Sequence, residues 1–477
     1  MPEADGAGAA APTPGEQFLE RQKAFEAAKL VMKAAKKKRR TEKQKALKVN
    51  SAVVCCYGCG APLHTSDQEA PGYVDPDTYE LKKRHHQLRT LLCGRCRLLS
   101  HGHMITAVGG NGGYPGGKQF VSADALREKL SHLRHERVLI VKLVDIVDFN
   151  GSFWLVKVTQ ILHMLYRQVD LLPKETDLNC VGDWVVEATT KKKLNVLNVH
   201  LTSSKSLVGI TGVVSEIQKE KKGRDVYILG SVNVGKSAFI NALLKMMAQW
   251  DPAAAAARKY KPIQSAVPGT TLGPIQIDAF LGGGKLFDTP GVHLHHRQAA
   301  VVHSEDLPIL APRSRLSGQS FPNAKTASEN GVADKFESNG LNGFSIFWGG
   351  LVRIDVLKKE LGVLLTPPTG KEKAKDWKGL EILRELQIKF EDAERPASDV
   401  AISGLGWIAV EPVSRSRRKP DLNLGETVKE LHLAVYVPKP VEIFVRPPLP
   451  VGKAGAEWYQ YRELTEKEEE LRPKWHY

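Results

Sequence analysis

The stretch GSVNVGKS, Gly230–Ser237, matches G-x-x-x-x-G-K-[ST] at every fixed position. It follows the apolar run Val226–Leu229 and opens a helix-compatible segment, Ala238–Met247. That is the strand–loop–helix setting a phosphate loop requires. Glycines let the backbone turn its N–H groups onto the α- and β-phosphates, and the dipole of the following helix favours the same charge. The expected cradle is Gly230, Ser231, Asn233, Val234, Gly235, Lys236, Ser237 and Ala238. Lys236 is expected on the β- and γ-phosphates, and Ser237 on Mg²⁺.

Two companions follow at workable distances. PGTT, Pro268–Thr271, offers the Thr271 hydroxyl to a metal and a γ-phosphate. DTPG, Asp288–Gly291, offers a carboxylate to Mg²⁺ through Asp288 and a backbone N–H to the γ-phosphate through Gly291. No N-K-x-D motif for a guanine base follows them. Upstream, VDLLPKETD (Val169–Asp177) resembles that region, with Asp170 as its acid, and Ser203-Ser204-Lys205 resembles the loop that backs the base. The order is base loop, second base loop, phosphate loop, threonine segment, DTPG, which is a circular permutation of an ordinary GTPase.

Around these motifs the chain alternates helix-like and strand-like runs. Helices are expected at Cys180–Thr190, Gly209–Lys221 and Gly235–Trp250, and strands at Val138–Val144, Asn195–Thr202 and Asp225–Leu229. Such alternation predicts a mostly parallel α/β sheet with helices on both faces. Beyond it, Ile346–Val356, Gly406–Val410 and Leu431–Val445 predict a β-rich α+β domain, with one helix near Trp377–Leu386. The expected division is a basic arm at 1–54, a cysteine unit at 55–103, the nucleotide domain at 104–304, a linker at 305–343 and the β-rich domain at 344–477.

Four of the six cysteines pair as Cys56-x-x-Cys59 and Cys93-x-x-Cys96, with 33 residues between the pairs. Two such turns let four thiolates converge on one tetrahedral Zn²⁺, and closed coordination makes the ion structural. A dithiol redox pair is the alternative, but it calls for a single CxxC beside a βαβ unit. Cys55 and Cys180 are surplus and read as packed thiols.

The chain has 477 residues and a formal charge of +15, from 68 Lys+Arg against 53 Asp+Glu. Nine basic residues fall in Lys33–Lys48, and more lie on the cysteine unit, at Tyr79–Arg89, Arg95 and Arg97. Clusters of this kind fit a polyanion such as RNA by counterion release; a solvated surface is the plainer reading. The composition excludes collagen-like and wholly disordered chains, and no apolar run is long enough for a membrane span. No signal or transit peptide is read in the first residues.

Together, the CxxC pairs, VDIVDFNGSF (Val144–Phe153), GSVNVGKS, VPGTTLGPI, FDTPGV, FWGGLVRIDV (Phe347–Val356) and FVRPPLPVGKAG resemble the YqeH-type circularly permuted GTPases. Within them the chain is similar to the plant chloroplast branch, the brassinazole-insensitive pale green 2 and nitric-oxide-associated-like proteins. The resemblance implies a switch cycling between GTP and GDP in ribosome assembly in the chloroplast, with rRNA, precursor particles and ribosomal proteins as partners. It also implies K⁺ at Asn233, in place of the positive charge of an arginine finger. Val292 stands where a water-orienting Gln is found in other GTPases. His293, His295, His296 and His303 read as part of a switch loop rather than a metal site.

Three features depart from the family. The base slot reads Arg167-Gln168-Val169-Asp170, without the Asn and Lys that pack the base. Only 25 residues separate Val144 from Asp170, little room for a crossover helix and return strand. FWGGLVRIDV runs into KKELGVLLTPPTG where relatives carry further β structure. An alternative is therefore a zinc-ribbon RNA-binding adaptor whose nucleotide domain is degenerate.

Overall fold

Leu139–Asp145 (β1) reads LIVKLVD and is buried at every residue, as a central strand covered on both faces must be. The computed structural model describes residues 54–101, 121–154, 162–192, 196–260, 262–265, 269–302, 306–310, 312, 314–321, 345–357, 363–365, 379–380, 382–392, 395–412 and 430–477. The basic arm, Pro268 and His303 lie outside the described residues. Two units are distinguished. One comprises Met1–Val53 and Ser131–Glu136; the other comprises Val54–Leu130 and Arg137–Tyr477 and carries every feature below.

Around β1 run Leu162–Arg167 (β2), Val196–Thr202 (β3), Val226–Gly230 (β4), Ile275–Ile277 (β5) and Leu286–Asp288 (β6). The later strands are Gln319–Phe321 (β7), Ser345–Trp348 (β8), Val352–Val356 (β9), Val363–Leu365 (β10), Ile382–Lys389 (β11), Ser398–Ile402 (β12), Gly406–Val410 (β13), Glu430–Val437 (β14), Ile443–Arg446 (β15) and Lys474–His476 (β16). The first sheet has seven strands in the order β16-β3-β2-β1-β4-β6-β5, parallel except for β5. Leu139, Val141 and Leu143 on one face of β1 share a core with helices Ile210–Lys221 and Lys236–Met247. On the other face Phe149 stacks on Tyr166 of β2 and meets Trp184 of helix Leu178–Thr190 edge-on.

β2 corrects the expectation that Val144–Asp170 is too short. Residues 146–161 are enough for the return, and their described part holds one helical turn, Phe149–Ser152. A parallel return needs only a dozen or more residues, and need not pass through a full helix.

The remaining strands form two antiparallel sheets, β15-β12-β13-β10-β7 and β11-β14-β9-β8. Ile346, Trp348, Val352, Ile354 and Val356 from one share a core with Val400, Ile402, Ile408 and Val410 from the other. The expected helix near Trp377–Leu386 is instead strand β11 from Ile382 onward. Leu386 and Ile388 face inward while Gln387 and Lys389 face out, and that period of two overrides helix propensity. The run Ile346–Val356 is a hairpin, turned at Gly349 and Gly350 with φ of 58° and 71°.

Two boundaries also differ from expectation. Gln319–Phe321, inside the expected linker, is an edge strand of the five-stranded sheet. The tail strand β16 returns to β3 at the edge of the first sheet. Trp475 settles there over Gly182, where a Cβ would meet its indole at 2.5 Å, and Arg472 pairs with Asp183.

Candidate nucleotide site and cysteine centre

Because β1, β2, β3, β4 and β6 are parallel, their carboxyl ends share one edge, where open α/β sheets bind ligands. Asp170 lies in the helical turn Val169–Leu171 after β2, and Ser203–Lys205 follow β3. The phosphate loop follows β4, and Asp288–Gly291 end β6. Residues far apart in sequence are thus brought to adjacent loops by strand order alone.

The phosphate loop is tightly held. Lys236 is buried and its Nζ donates to Ser231 O at 2.9 Å and Gly230 O at 3.3 Å. Asn233 and Gly235 are left-handed, with φ of 60° and 74°, so the loop's shape demands residues that tolerate that region. DTPG is laced to the loop: Val232 N donates to Val292 O at 2.9 Å, and Val292 N to Gly230 O at 3.2 Å. Gly291 has no room for a side chain, since a Cβ would lie 2.8 Å from both Lys236 Nζ and Val232 Cα.

Ser237 Oγ donates to Asp288 Oδ2 at 2.8 Å. Asp288 is fully buried, and its Oδ1 has no hydrogen-bond partner. Burial pushes this carboxyl up to about 6, and the Lys236 charge and the Ser237 hydrogen bond pull against that rise. A buried carboxylate oxygen without a partner, beside a serine hydroxyl and a lysine, fits a hard cation. Mg²⁺ suits this donor set.

The structure gathers Lys236, Ser237, Asp288 and Gly291 directly. Thr271 is buried on a segment whose backbone is bonded to the cysteine unit. Ser203 Oγ accepts from Lys205 N at 3.2 Å and Ser206 N at 3.1 Å, which shapes its loop and leaves Lys205 exposed. Gln168, in the departed base slot, donates through Nε2 to Asp145 Oδ2 at 3.1 Å. Asn233 is exposed. His293 is buried, and His296 Nε2 lies 3.2 Å from Gly151 O.

Arg297 is a participant that no local motif announces. It is buried, donates to Val232 O of the phosphate loop at 2.5 Å, and pairs with Asp148 at 2.9 Å. The next residue, Gln298, donates its N–H to Ser403 O in the β-rich sheets. VDIVDFNGSF contains Asp148, but nothing in the sequence indicates a partner 149 positions away.

The cysteine unit brings Cys56, Cys59, Cys93 and Cys96 together, with all four sulfurs within 4.8 Å of one another and every residue buried. No other such His/Cys/Asp/Glu group occurs among the described residues. None of the four is in a disulfide, and Cys59 and Cys93 Sγ are 3.9 Å apart. A tetrahedron of Zn–S bonds of about 2.3 Å has edges of about 3.8 Å, so the set fits zinc. The first pair sits in a turn closed by Gly60 N to Cys56 O at 2.8 Å. The second opens the helix Gly94–Ser100, so this half is a knuckle on a helix and not the hairpin of a ribbon. Arg97 is exposed as expected, but Arg95 turns inward to Gly269 and Thr270.

A family model described as 50S ribosome-binding GTPase matches residues 225–317. NO-associated protein 1, chloroplastic/mitochondrial, of Arabidopsis thaliana is 64% identical, covering 100% of this chain and 91% of its own length. That alignment spans 515 positions, more than the 477 residues here, so the relative carries residues this chain lacks. The uncharacterized protein YqeH of Bacillus subtilis is 29% identical over 82% of this chain and 98% of its own. The Arabidopsis GTP-binding protein brassinazole insensitive pale green 2, chloroplastic, is 24% identical over 57% of this chain and 45% of its own. Within the plant branch the likeness is therefore much stronger to the NO-associated protein. With its phosphate loop, buried Asp288 and full-length likeness, the chain is a GTPase and belongs to the YqeH-type family of the plant NO-associated proteins.

Proposed function

We propose that the protein is a circularly permuted GTPase that acts in the chloroplast as a GTP-dependent factor in ribosome assembly. The carrying observation is the Ser237–Asp288 contact at 2.8 Å, with one Asp288 oxygen buried and unpartnered beside Lys236. The permutation is supported by Asp170 and Ser203–Lys205 preceding the phosphate loop while sharing its sheet edge. The matching family model also begins only at residue 225.

In this reading Lys236 leaves its two loop carbonyls for the β- and γ-phosphates, and the backbone of Gly230–Ala238 wraps the α- and β-phosphates. Ser237, Asp288 and Thr271 would hold Mg²⁺, which would supply charge neutralisation to the phosphates. The Gly291 N–H reports the γ-phosphate to the backbone that runs through Val292 to Arg297. Asp170 accepts from the guanine edge, and Ser203, Ser204 and Lys205 back the base. Val292 provides no base for water; Asn233 would hold K⁺, which would supply positive charge to the transition state. Equal rates in K⁺ and Na⁺ at matched ionic strength would remove that last element.

The partner proposed is rRNA within precursor particles. Exposed Phe347 and half-buried Arg353 and Tyr436 form a row across β8, β9 and β14, with the guanidinium 5.9 Å and 5.2 Å from the two rings. Such a row stacks bases, and Lys83, Arg84, Arg89 and Arg97 on the cysteine unit face solvent and can meet phosphates. No helix among the described residues is long and apolar enough to cross a membrane. The reading is tested by titrating purified protein with GTP, GDP and rRNA at several salt concentrations. Nucleotide binding with a steep salt dependence of RNA binding supports it; RNA binding without nucleotide binding favours the adaptor reading.

A further inference from the structure

Arg95 sits between Cys93 and Cys96, and its guanidinium donates to Gly269 O at 2.9 Å and Thr270 O at 3.4 Å. On the other knuckle the Cys59 carbonyl accepts from Leu272 N at 2.7 Å and Gly273 N at 3.1 Å. Gly60 and Gly273 meet back to back, and a Cβ on either would lie 2.2 Å from the other's carbonyl oxygen. Leu272 packs on the cysteine core. Thr271 is therefore flanked by backbone groups held from both sides, one side by each half of the cysteine unit.

We propose that Arg95 and the Cys59 carbonyl position Thr271, so that the four-cysteine unit sets the threonine segment of the nucleotide site. A guanidinium fork on two successive carbonyls fixes the orientation of both peptide groups, and with them the direction in which the next side chain leaves. The two anchors stand on different knuckles, which share one small core and which closed coordination would lock into one body. The unit is thus a structural metal centre whose outer surface is part of the switch. This rests on the GTPase reading, in which Thr271 is needed with GTP and not with GDP.

The test uses the full-length protein with Arg95→Ala and, from the opposite side, Gly273→Ala, which places a methyl against Gly60. Three quantities are measured: zinc per chain, amide hydrogen exchange at Leu272 and Gly273 without nucleotide, and Mg²⁺-dependent affinity for GDP and a non-hydrolysable GTP analogue. The expected result for both variants is retained zinc and faster exchange at the two amides. Affinity for the GTP analogue falls about tenfold, while GDP affinity holds. Unchanged exchange and an unchanged GTP-to-GDP ratio overturn the proposal. If Arg95→Ala loses zinc, Gly273→Ala decides by the same criteria, because it lies outside both knuckles. Wild-type protein that binds neither nucleotide refutes the GTPase reading and the proposal together; intact binding with an unchanged ratio refutes the proposal alone.

Discussion

Arg297 and Asp148 form a buried ion pair at 2.9 Å, and the same guanidinium reaches Val232 O in the phosphate loop. Burial raises the Asp148 carboxyl above its usual range, against the opposing pull of Arg297. Removing one partner leaves the other charge buried and unpaired, so Arg297→Met should cost about 3–5 kcal/mol of stability. Denaturant unfolding measures this. A loss below about 1 kcal/mol would mean the pair is open to solvent.

Lys236→Ala should abolish nucleotide binding and leave the cysteine unit intact. The lysine is bonded to the Gly230 and Ser231 carbonyls of its own loop, far in sequence from the knuckles. Fluorescent nucleotide titration and metal analysis check the two halves separately. Zinc lost together with nucleotide would show that the two sites do not fold independently.

The cysteine unit should hold one zinc per chain, and Cys96→Ser should release it. Helix Gly94–Ser100 begins at this knuckle, and Leu91, Val74 and Ala61 pack around it as a small core. Closed thiolate sites supply folding energy, so chelation should expose residues 54–101 to limited proteolysis. Persistence of the resistant fragment after chelation would show that packing alone sustains the unit.

Lys142 lies fully buried in β1, with Nζ bonded to Trp154 O and placed 4.3 Å from the Phe153 ring centre. Burial, helped by the Lys192 charge, pushes it down to about 7. Unfolded lysine titrates near 10.4, so between these values the unfolded chain binds the extra proton and stability rises with pH. Lys142→Met should remove that rise. Parallel stability–pH curves for wild type and variant between pH 7 and about 10 would show that Lys142 keeps its charge.

Much of the site is legible in sequence because it is local. GSVNVGKS carries its own strand, loop and helix start, and DTPG carries its own strand end, so their chemistry needs only a few neighbouring residues. The four cysteines are legible for the same reason, since each pair is one turn. What was hidden is long-range. Arg95 reads as surface charge until Gly269 arrives from 174 positions away, and Arg297 reads as part of a histidine-rich loop until Asp148 is seen. Strand β11 reads as a helix in sequence because ILRELQIK has helix-forming residues, and only the sheet supplies its period of two. The tail strand β16 depends on the absence of a side chain at Gly182, which no pattern in Lys474–His476 reveals.

Guanine choice by Asp170 without the usual Asn and Lys is the central claim, and isothermal titration calorimetry with Mg²⁺ and GTP, GDP or ATP tests it most directly. The account predicts that GTP and GDP bind more tightly than ATP by at least about tenfold, a difference of about 1.4 kcal/mol. It also predicts that Asp170→Ala removes the preference and Lys236→Ala removes binding. Equal affinities for GTP and ATP in the unaltered protein, or no binding of either, would contradict it.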